Sequence, residues 1–269
     1  MVFRSLLFVP GARPDRFDKA VGSGADTIII DLEDAVLPPN KDAARKNTLA
    51  WLAARGSEVK AGVRINSLRS ADGCADVAAL AASNASPDFI MVPKADTRAD
   101  VEIVGEAGRA RALMGVIESP LGLTNASEIA QASTGGILFG GADYSAALGA
   151  NLEEWDAMLW ARSTIANACS VAGVPAYDVP YLDTVDEVGL IEQTRRVKAL
   201  GFNGRSCIHP NQVSNVNGVF TPSAEEITEA KEIIESLERA EGGAALHKGK
   251  LVDRPVILAA ERTLALVDF

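Results

Sequence analysis

Short apolar runs punctuate the first 209 residues: Ser5–Val9, Thr27–Leu32, Lys60–Ile65, Asp88–Val92, Ala112–Ile117, Gly136–Phe139, Val174–Val179 and Phe202–Ile208. Most place apolar or β-branched residues consecutively rather than alternately, as strands buried on both faces of a parallel sheet do. The last run is the most mixed in polarity. Helical signals fill the intervals. Asn40 stands where it would cap a helix over Lys41–Ala54, with Leu49, Leu52 and Ala53 inward. Within Leu152–Ala172, Trp155, Met158, Leu159, Ile165 and Cys169 share one face at 3.6-residue spacing. Thr184 and Glu187 form a capping-box pattern ahead of the next helix. Eight strand–helix units with right-handed crossovers in roughly 210 residues predict an α/β fold, a (β/α)8 TIM barrel. An open doubly wound sheet is the alternative, but no GxGxxG follows the first run to favour a dinucleotide fold.

The pattern changes after Pro210, which divides the chain into a barrel over residues 1–210 and an extension over 211–269. Thr221-Pro222 reads as a helix cap followed by proline at the first helical position. Ile227, Ala230, Ile234 and Leu237 continue the stripe, and Glu241-Gly242-Gly243 stops it. Lys248-Gly249-Lys250 and Asp253 precede a short apolar helix from Pro255. A segment of this size does not bury a core alone, so it is expected to pack on the barrel or on a neighbouring subunit.

Composition narrows the partners. Lys plus Arg is 26 against 36 Asp plus Glu, a net charge of −10, which argues against nucleic acid. An anionic small molecule would need local Arg, Lys or metal. Cys74, Cys169 and Cys207 are odd in number and far apart, which fits neither a disulfide framework nor a cysteine zinc site and suggests the cytoplasm. Leu6–Val9 is too short for a signal peptide, charges follow at once, and no apolar stretch reaches the roughly 18 residues of a membrane span.

Barrel active sites lie at the C-terminal strand ends. The polar residues there are Asp31, Glu33 and Asp34 after the second run, Arg64 and Asn66 in the third, Lys94 after the fourth and Glu118-Ser119 after the fifth. Gly140-Gly141-Ala142-Asp143 follows the sixth; Asp178 lies in the seventh and His209 after the eighth. Glu118 and Asp143, on adjacent strand ends, suit a hard divalent cation that keeps waters and leaves room for substrate oxygens. The alternative is that each caps the following helix. Arg64 suits a substrate carboxylate, or a salt bridge to Glu33 or Asp34. Glu33 and Asp34 suit either metal-bound waters or helix capping. Lys94 suits a rim carboxylate or a substrate anion, and a Schiff base is a lesser option. His209 fits a hydrogen-bonded structural role.

Arg4-Ser5-Leu6-Leu7-Phe8-Val9-Pro10-Gly11, Ile30-Asp31-Leu32-Glu33-Asp34-Ala35-Val36, Val63-Arg64-Ile65-Asn66 and Ile117-Glu118-Ser119 resemble motifs of one family. So do Phe139-Gly140-Gly141-Ala142-Asp143, Gly204-Arg205-Ser206-Cys207-Ile208-His209-Pro210 and Lys248-Gly249-Lys250-Leu251-Val252-Asp253. Their ordered combination is similar to the citrate lyase beta-subunit-like family of the HpcH/HpaI aldolase superfamily, which includes citryl-, malyl- and citramalyl-CoA lyases. The resemblance implies a Mg2+-dependent barrel, with Mn2+ as an alternative metal, that cleaves a 3-hydroxyacyl-CoA thioester into acetyl-CoA and a keto acid such as oxaloacetate. It implies metal ligands at Glu118 and Asp143, substrate contact at Glu118, a carboxylate-binding role for Arg64, and support of metal waters by Glu33 and Asp34. It further implies that Asp253 is the acid/base of a tail reaching a neighbouring subunit's site, in a homo-oligomer of trimeric or larger size. Arg4, Arg13, Arg16 and the tail lysines are the candidate contacts for the CoA phosphates. Three rival functions are thioester hydrolysis on the same scaffold, an aldolase acting on pyruvate and an aldehyde without CoA, and a lyase-complex subunit working on a carrier-protein thioester.

Overall fold

A computed structural model describes residues 2–266 apart from 57, 59, 109–110, 240–244 and 249. Each of the eight apolar runs contains one strand: β1 (Ser5–Pro10), β2 (Thr27–Asp31), β3 (Ala61–Arg64), β4 (Phe89–Val92), β5 (Leu113–Ile117), β6 (Gly136–Phe139), β7 (Ala176–Asp178) and β8 (Gly204–Cys207). They form a closed parallel barrel in sequence order, and β8 returns to β1 with Ser5, Leu6 and Leu7 opposite Arg205, Ser206 and Cys207. The helices between and after them are α1 (Phe17–Val21), α2 (Lys41–Ala54), α3 (Ala71–Ala82), α4 (Arg98–Gly108), α5 (Pro120–Thr124), α6 (Ala126–Ala132), α7 (Gly141–Leu148), α8 (Trp155–Ala172), α9 (Glu187–Ala199) and α10 (Val213–Phe220). The (β/α)8 barrel is therefore the fold. Among the described residues no helix is long and apolar enough to cross a membrane.

Alternation along each strand decides what reaches the mouth. The barrel interior is filled by Leu6, Ile29, Phe89, Met91, Met114, Val116, Leu138 and Tyr177, with Phe8 packed against them. Two residues beyond Ile29 comes Asp31, two beyond Val116 comes Glu118, and two beyond Leu138 comes Gly140. In β3 the inward position below Arg64 is Gly62. A Cβ there would collide with the Phe89 ring, so the missing side chain makes room for an aromatic beneath the arginine.

Several predicted caps differ. Asn40 belongs to a short turn, Pro38–Asn40, and its side chain caps nothing; α2 buries Ala44, Arg45, Thr48 and Leu52, while Ala53 is exposed and Leu49 only half-buried. The cap of α9 is Asp186, whose carboxylate accepts from the Gly189 N–H, rather than Thr184. In both cases another carboxylate or hydroxyl nearby supplied equivalent chemistry, or the preceding turn already set the backbone.

The chain resolves into two compact units, residues 1–217 and 218–269. The second holds α11 (Ala224–Arg239), the antiparallel hairpin β9 (Ala245–His247) and β10 (Lys250–Val252), and α12 (Arg254–Ala265). A reciprocal box starts α11: Ser223 N–H donates to Glu226 and the Glu226 N–H to the Ser223 hydroxyl, so Ser223 replaces the expected Thr221. Buried Val252 and Ile257 pack with Ile233 and Val256. The predicted stop at Glu241-Gly242-Gly243 lies outside the described residues.

Candidate active site

The inward-facing strand ends open on a cavity of about 470 Å³. Asp31, Asp34, Arg64, Glu118 and Asp143 are its charged lining, and Phe8, Val116, Leu138, Phe139, Val179, Leu182 and Ile208 its apolar wall. A few convergent polar groups in an apolar cleft are the usual form of a small-molecule site.

Glu118 ends β5 with only 7 % of its surface exposed. It does not cap α5: Ser119 does, accepting from the Gly122 N–H. Glu118 Oε1 instead accepts from the main-chain N–H of Lys94 at 2.6 Å. Gly140 is required beside it, because a Cβ there would press on the Glu118 side chain and on Val116. Asp143 lies in the first turn of α7, whose cap position is Gly140, and it is half exposed. Neither carboxylate is used to terminate a helix, so both remain available to a ligand.

Arg64 is held flat by Asp31, with Nε and Nη2 each 2.7 Å from a carboxylate oxygen. Its Nη1 lies 3.1 Å from Glu33 and 3.6 Å from Asp34, and the guanidinium sits 5.1 Å over the Phe8 ring. The structural salt bridge weighed above is thus present, and Asp31 is its main partner. Asp31 also accepts from the N–H groups of Glu33 and Ala35, folding the turn that carries Glu33 and Asp34. Lys41 braces the same turn from below, donating to the carbonyls of Leu32 and Glu33 and to Asn66 Oδ1 at 2.6–2.7 Å. Asn66 in turn donates twice to buried Asp76, which also binds Arg45. Lys41 and Asp76 are supports that sequence reasoning missed, and Asp31, though placed at the rim, was given no role. The inward parity of Asp31 with Ile29 was the readable signal; nothing local marked the other two.

Five carboxylates, Asp31, Glu33, Asp34, Glu118 and Asp143, gather at this mouth with two cations, Arg64 and Lys94, among them. Burial first, then the charges of Glu33 and Asp143, push Glu118 up to about 7 against the pull of Lys94. Burial also raises Glu33, whose Oε2 is ion-paired with Arg64 at 3.1 Å but makes no hydrogen bond among the described residues. Burial opposes the charge of Arg64, but Asp31, Glu33 and Asp34 outweigh it and hold the guanidinium charged. Among the described residues no three His, Cys, Asp or Glu side chains already converge as a cage. Two carboxylates facing an open cleft nonetheless suit Mg2+, which retains waters rather than demanding an all-protein shell.

A test of this electrostatics needs no ligand. Folded Glu118 holds its proton up to about 7, against an ordinary 4.5. Its contribution is therefore complete below pH 4.5 and is lost as pH rises through about 7. The stability of the wild type relative to Glu118→Gln, measured by urea unfolding in EDTA, should fall across that window; a flat difference would contradict the burial assignment.

Other sequence candidates lie elsewhere. Arg4 precedes β1, at the opposite end of the barrel from the mouth, and binds Asp26 through Nε at 3.0 Å and Nη2 at 2.6 Å, which corrects its proposed phosphate role. Arg13 and Arg16 follow β1 on the mouth side; Arg13 pairs with exposed Asp15 at 2.8 Å. His209 caps the Pro210–Gln212 turn, accepting from the Asn211 N–H, in agreement with a structural role. Asp178 turns away from the mouth and meets Arg162 of α8. In the second unit, Asp253 is exposed and caps α12 through Val256, and Lys248 pairs with Glu232 at 2.8 Å.

A carboxylate-rich mouth at the strand ends of a (β/α)8 barrel, with Arg64 and Lys94 among the carboxylates, defines the class as a barrel enzyme. The family profile of HpcH/HpaI aldolase/citrate lyase matches residues 4–210, and the chain belongs to that family of lyases. It is 36% identical to citrate lyase subunit beta of Escherichia coli, covering 98% of this chain and 93% of that one. It is equally 36% identical to the L-malyl-CoA/beta-methylmalyl-CoA lyase of Rhodobacter capsulatus, covering 96% and 92%. Protein CitE from Mycobacterium tuberculosis, solved with magnesium, acetoacetate and coenzyme A, superposes with a TM-score of 0.86 at 34% identity, over 100% of this chain and 99% of that one.

Proposed function

We propose that the protein is a Mg2+-dependent carbon–carbon lyase that cleaves a 3-hydroxyacyl-CoA thioester of the citryl-, malyl- or citramalyl-CoA kind into acetyl-CoA and a keto acid. The observation that carries this reading is the pair Glu118 and Asp143, free of capping duty, in one cavity with an arginine already anchored by Asp31. The relatives support it: one is a malyl-CoA lyase, and CitE was solved with magnesium and coenzyme A.

Glu118 and Asp143 would hold the metal, and Glu33 and Asp34 the waters around it. When bound, Mg2+ supplies positive charge where the substrate hydroxyl becomes a carbonyl oxygen. Arg64 has committed Nε and one edge of Nη2 to Asp31. Nη1, 3.1 Å from Glu33, would exchange that contact for the carboxylate of the keto-acid half, with Asp31 fixing the plane of the fork. The hydroxyl would give its proton to solvent water, its C–O bond would become the C=O of the keto acid, and the electron pair of the broken C–C bond would pass to the thioester as an enolate. Asp253 of another subunit would return a proton to the enolate carbon, giving acetyl-CoA. Arg13 and Arg16 would meet the CoA phosphates. The exposed Arg13–Asp15 pair is weak enough to exchange partners.

The test is cleavage of the three CoA esters in Mg2+ or EDTA. Keto acid and acetyl-CoA should appear in equal amounts and only with metal. Activity indifferent to EDTA, or free CoA thiol without keto acid, would reject the reading. In the same assay, mixing inactive Asp253→Ala and Arg64→Ala proteins should restore part of the activity; none, with subunit exchange verified, would reject the shared site.

A further inference from the structure

Lys94 holds an unusual backbone conformation. Its φ is +52°, a left-handed conformation uncommon outside glycine, directly after Pro93 at the end of β4. Both sides of the residue are pinned. The main-chain N–H donates to Glu118 at 2.6 Å, the carbonyl accepts from Arg69 at 2.9 Å, and Ala95 N–H continues to the Val116 carbonyl at 3.2 Å. Arg69 is itself held by Asp96 and Asp100, at 3.4 and 3.2 Å. Strain of this kind persists only where the surroundings over-determine it, and such residues cluster at functional sites.

The conformation places the side chain among the mouth's carboxylates. Lys94 Nζ lies 2.5 Å from Glu33, 3.6 Å from Asp143 and 4.0 Å from Asp34. The one residue thus reaches four acidic side chains, Glu118 by its main chain and the others by its ammonium. A compact point charge on a flexible stem can face several carboxylates at once.

We propose that Lys94 is a positioning residue, an internal counter-cation that keeps the metal-binding carboxylates assembled before a divalent cation binds and gives up Asp143 when one arrives. The inference rests on the metal reading above. It uses a distinction within the residue: the N–H to Glu118 is independent of the ammonium, so the two can be separated. The contact at 2.5 Å to Glu33 is tight and the one at 3.6 Å to Asp143 loose, which orders the release. Without its ammonium the mouth carries one more uncompensated negative charge, so a divalent cation has no occupant to displace.

Lys94→Asn tolerates left-handed backbone and keeps the N–H, and Lys94→Gly does so without strain. Both should bind Mg2+ roughly five- to tenfold more tightly than the wild type by isothermal titration calorimetry, tenfold being about 1.4 kcal/mol. Both should also melt lower than the wild type in EDTA, a deficit that Mg2+ removes. Lys94→Arg, which restores a cation, should return towards wild-type affinity. Unchanged or weaker Mg2+ binding in folded Lys94→Asn overturns the inference, and Lys94→Gly decides the matter if the asparagine variant does not fold. If the wild type binds Mg2+ and Asp143→Asn abolishes it while Lys94 variants are indifferent, this inference alone fails. If the wild type binds no Mg2+, the metal reading fails with it.

Discussion

Asp143→Asn is expected to lower C–C cleavage of the CoA ester about a thousandfold or more in kcat, the loss that follows when several kcal/mol of metal-borne charge stabilisation disappear. The fold is expected to survive. Asp143 is half exposed, caps no helix, and among the described residues its one ion pair is with Lys94 at 3.6 Å. Surface substitutions of that kind stay within about 0.5 kcal/mol. Asparagine keeps the volume and one carbonyl oxygen but removes the formal charge that a hard cation requires. Glu118→Gln is less clean, because Glu118 is buried and organises Lys94, so its loss mixes catalysis with local geometry. Kinetics, Mg2+ titration and thermal melting on the same Asp143→Asn preparation check the expectation. A variant retaining a tenth of the activity, or one that loses activity only by unfolding, would remove Asp143 from the metal site.

The eight strands were readable because burial on both faces leaves an unbroken apolar run, which polar loops delimit sharply. Even the mixed run at Phe202–Ile208 held: β8 alternates Gly204 and Ser206 with Arg205 and Cys207, all buried. Helix starts were less readable. Asn40, Thr184 and Thr221 each had capping chemistry, yet Asp186 and Ser223 did the capping at α9 and α11, because side-chain geometry within one turn selects among equivalent donors and acceptors. The mouth carboxylates followed from strand ends alone, since position after a strand fixes the rim. Their supports did not. Lys41 and Asp76 reach the site from α2 and α3 without any local motif to mark them, and the left-handed Lys94 is invisible in a sequence that places an ordinary lysine after proline. Arg4 was misassigned for a related reason: proximity to a strand does not say which end it occupies, and Arg4 lies before β1.

Asp178 shows how parity misleads when read as a simple list of strand ends, and it carries the largest expected effect on stability. Its neighbour Tyr177 faces the barrel interior, so Asp178 faces the helices. There it meets two fully buried arginines. Arg162 Nε is 2.9 Å from one carboxylate oxygen, and Arg205 Nη2 is 3.5 Å from the other. Arg205 is otherwise satisfied by the Val179 carbonyl, Thr194 and Gln193, and Arg162 stacks between Trp155 and Phe139 at 4.7 and 5.6 Å. One anion therefore serves two buried cations. Burial and the charge of Arg162 depress Arg205 below its usual range, with Asp178 opposing them. Asp178→Asn keeps the shape and leaves both guanidinium groups uncompensated, which should cost about 3–5 kcal/mol. For a chain of this size that is on the order of 10 °C in Tm. Arg162→Met should cost much less, because one cation still faces one anion and an apolar stem still fills the space between the rings. Adding Arg162→Met to Asp178→Asn should then recover stability, since the remaining arginine keeps three uncharged acceptors. Urea unfolding of the two single variants and the double checks this. Equal losses for Asp178→Asn and Arg162→Met, or no recovery in the double, would show that the cluster is held by packing rather than by its charge balance.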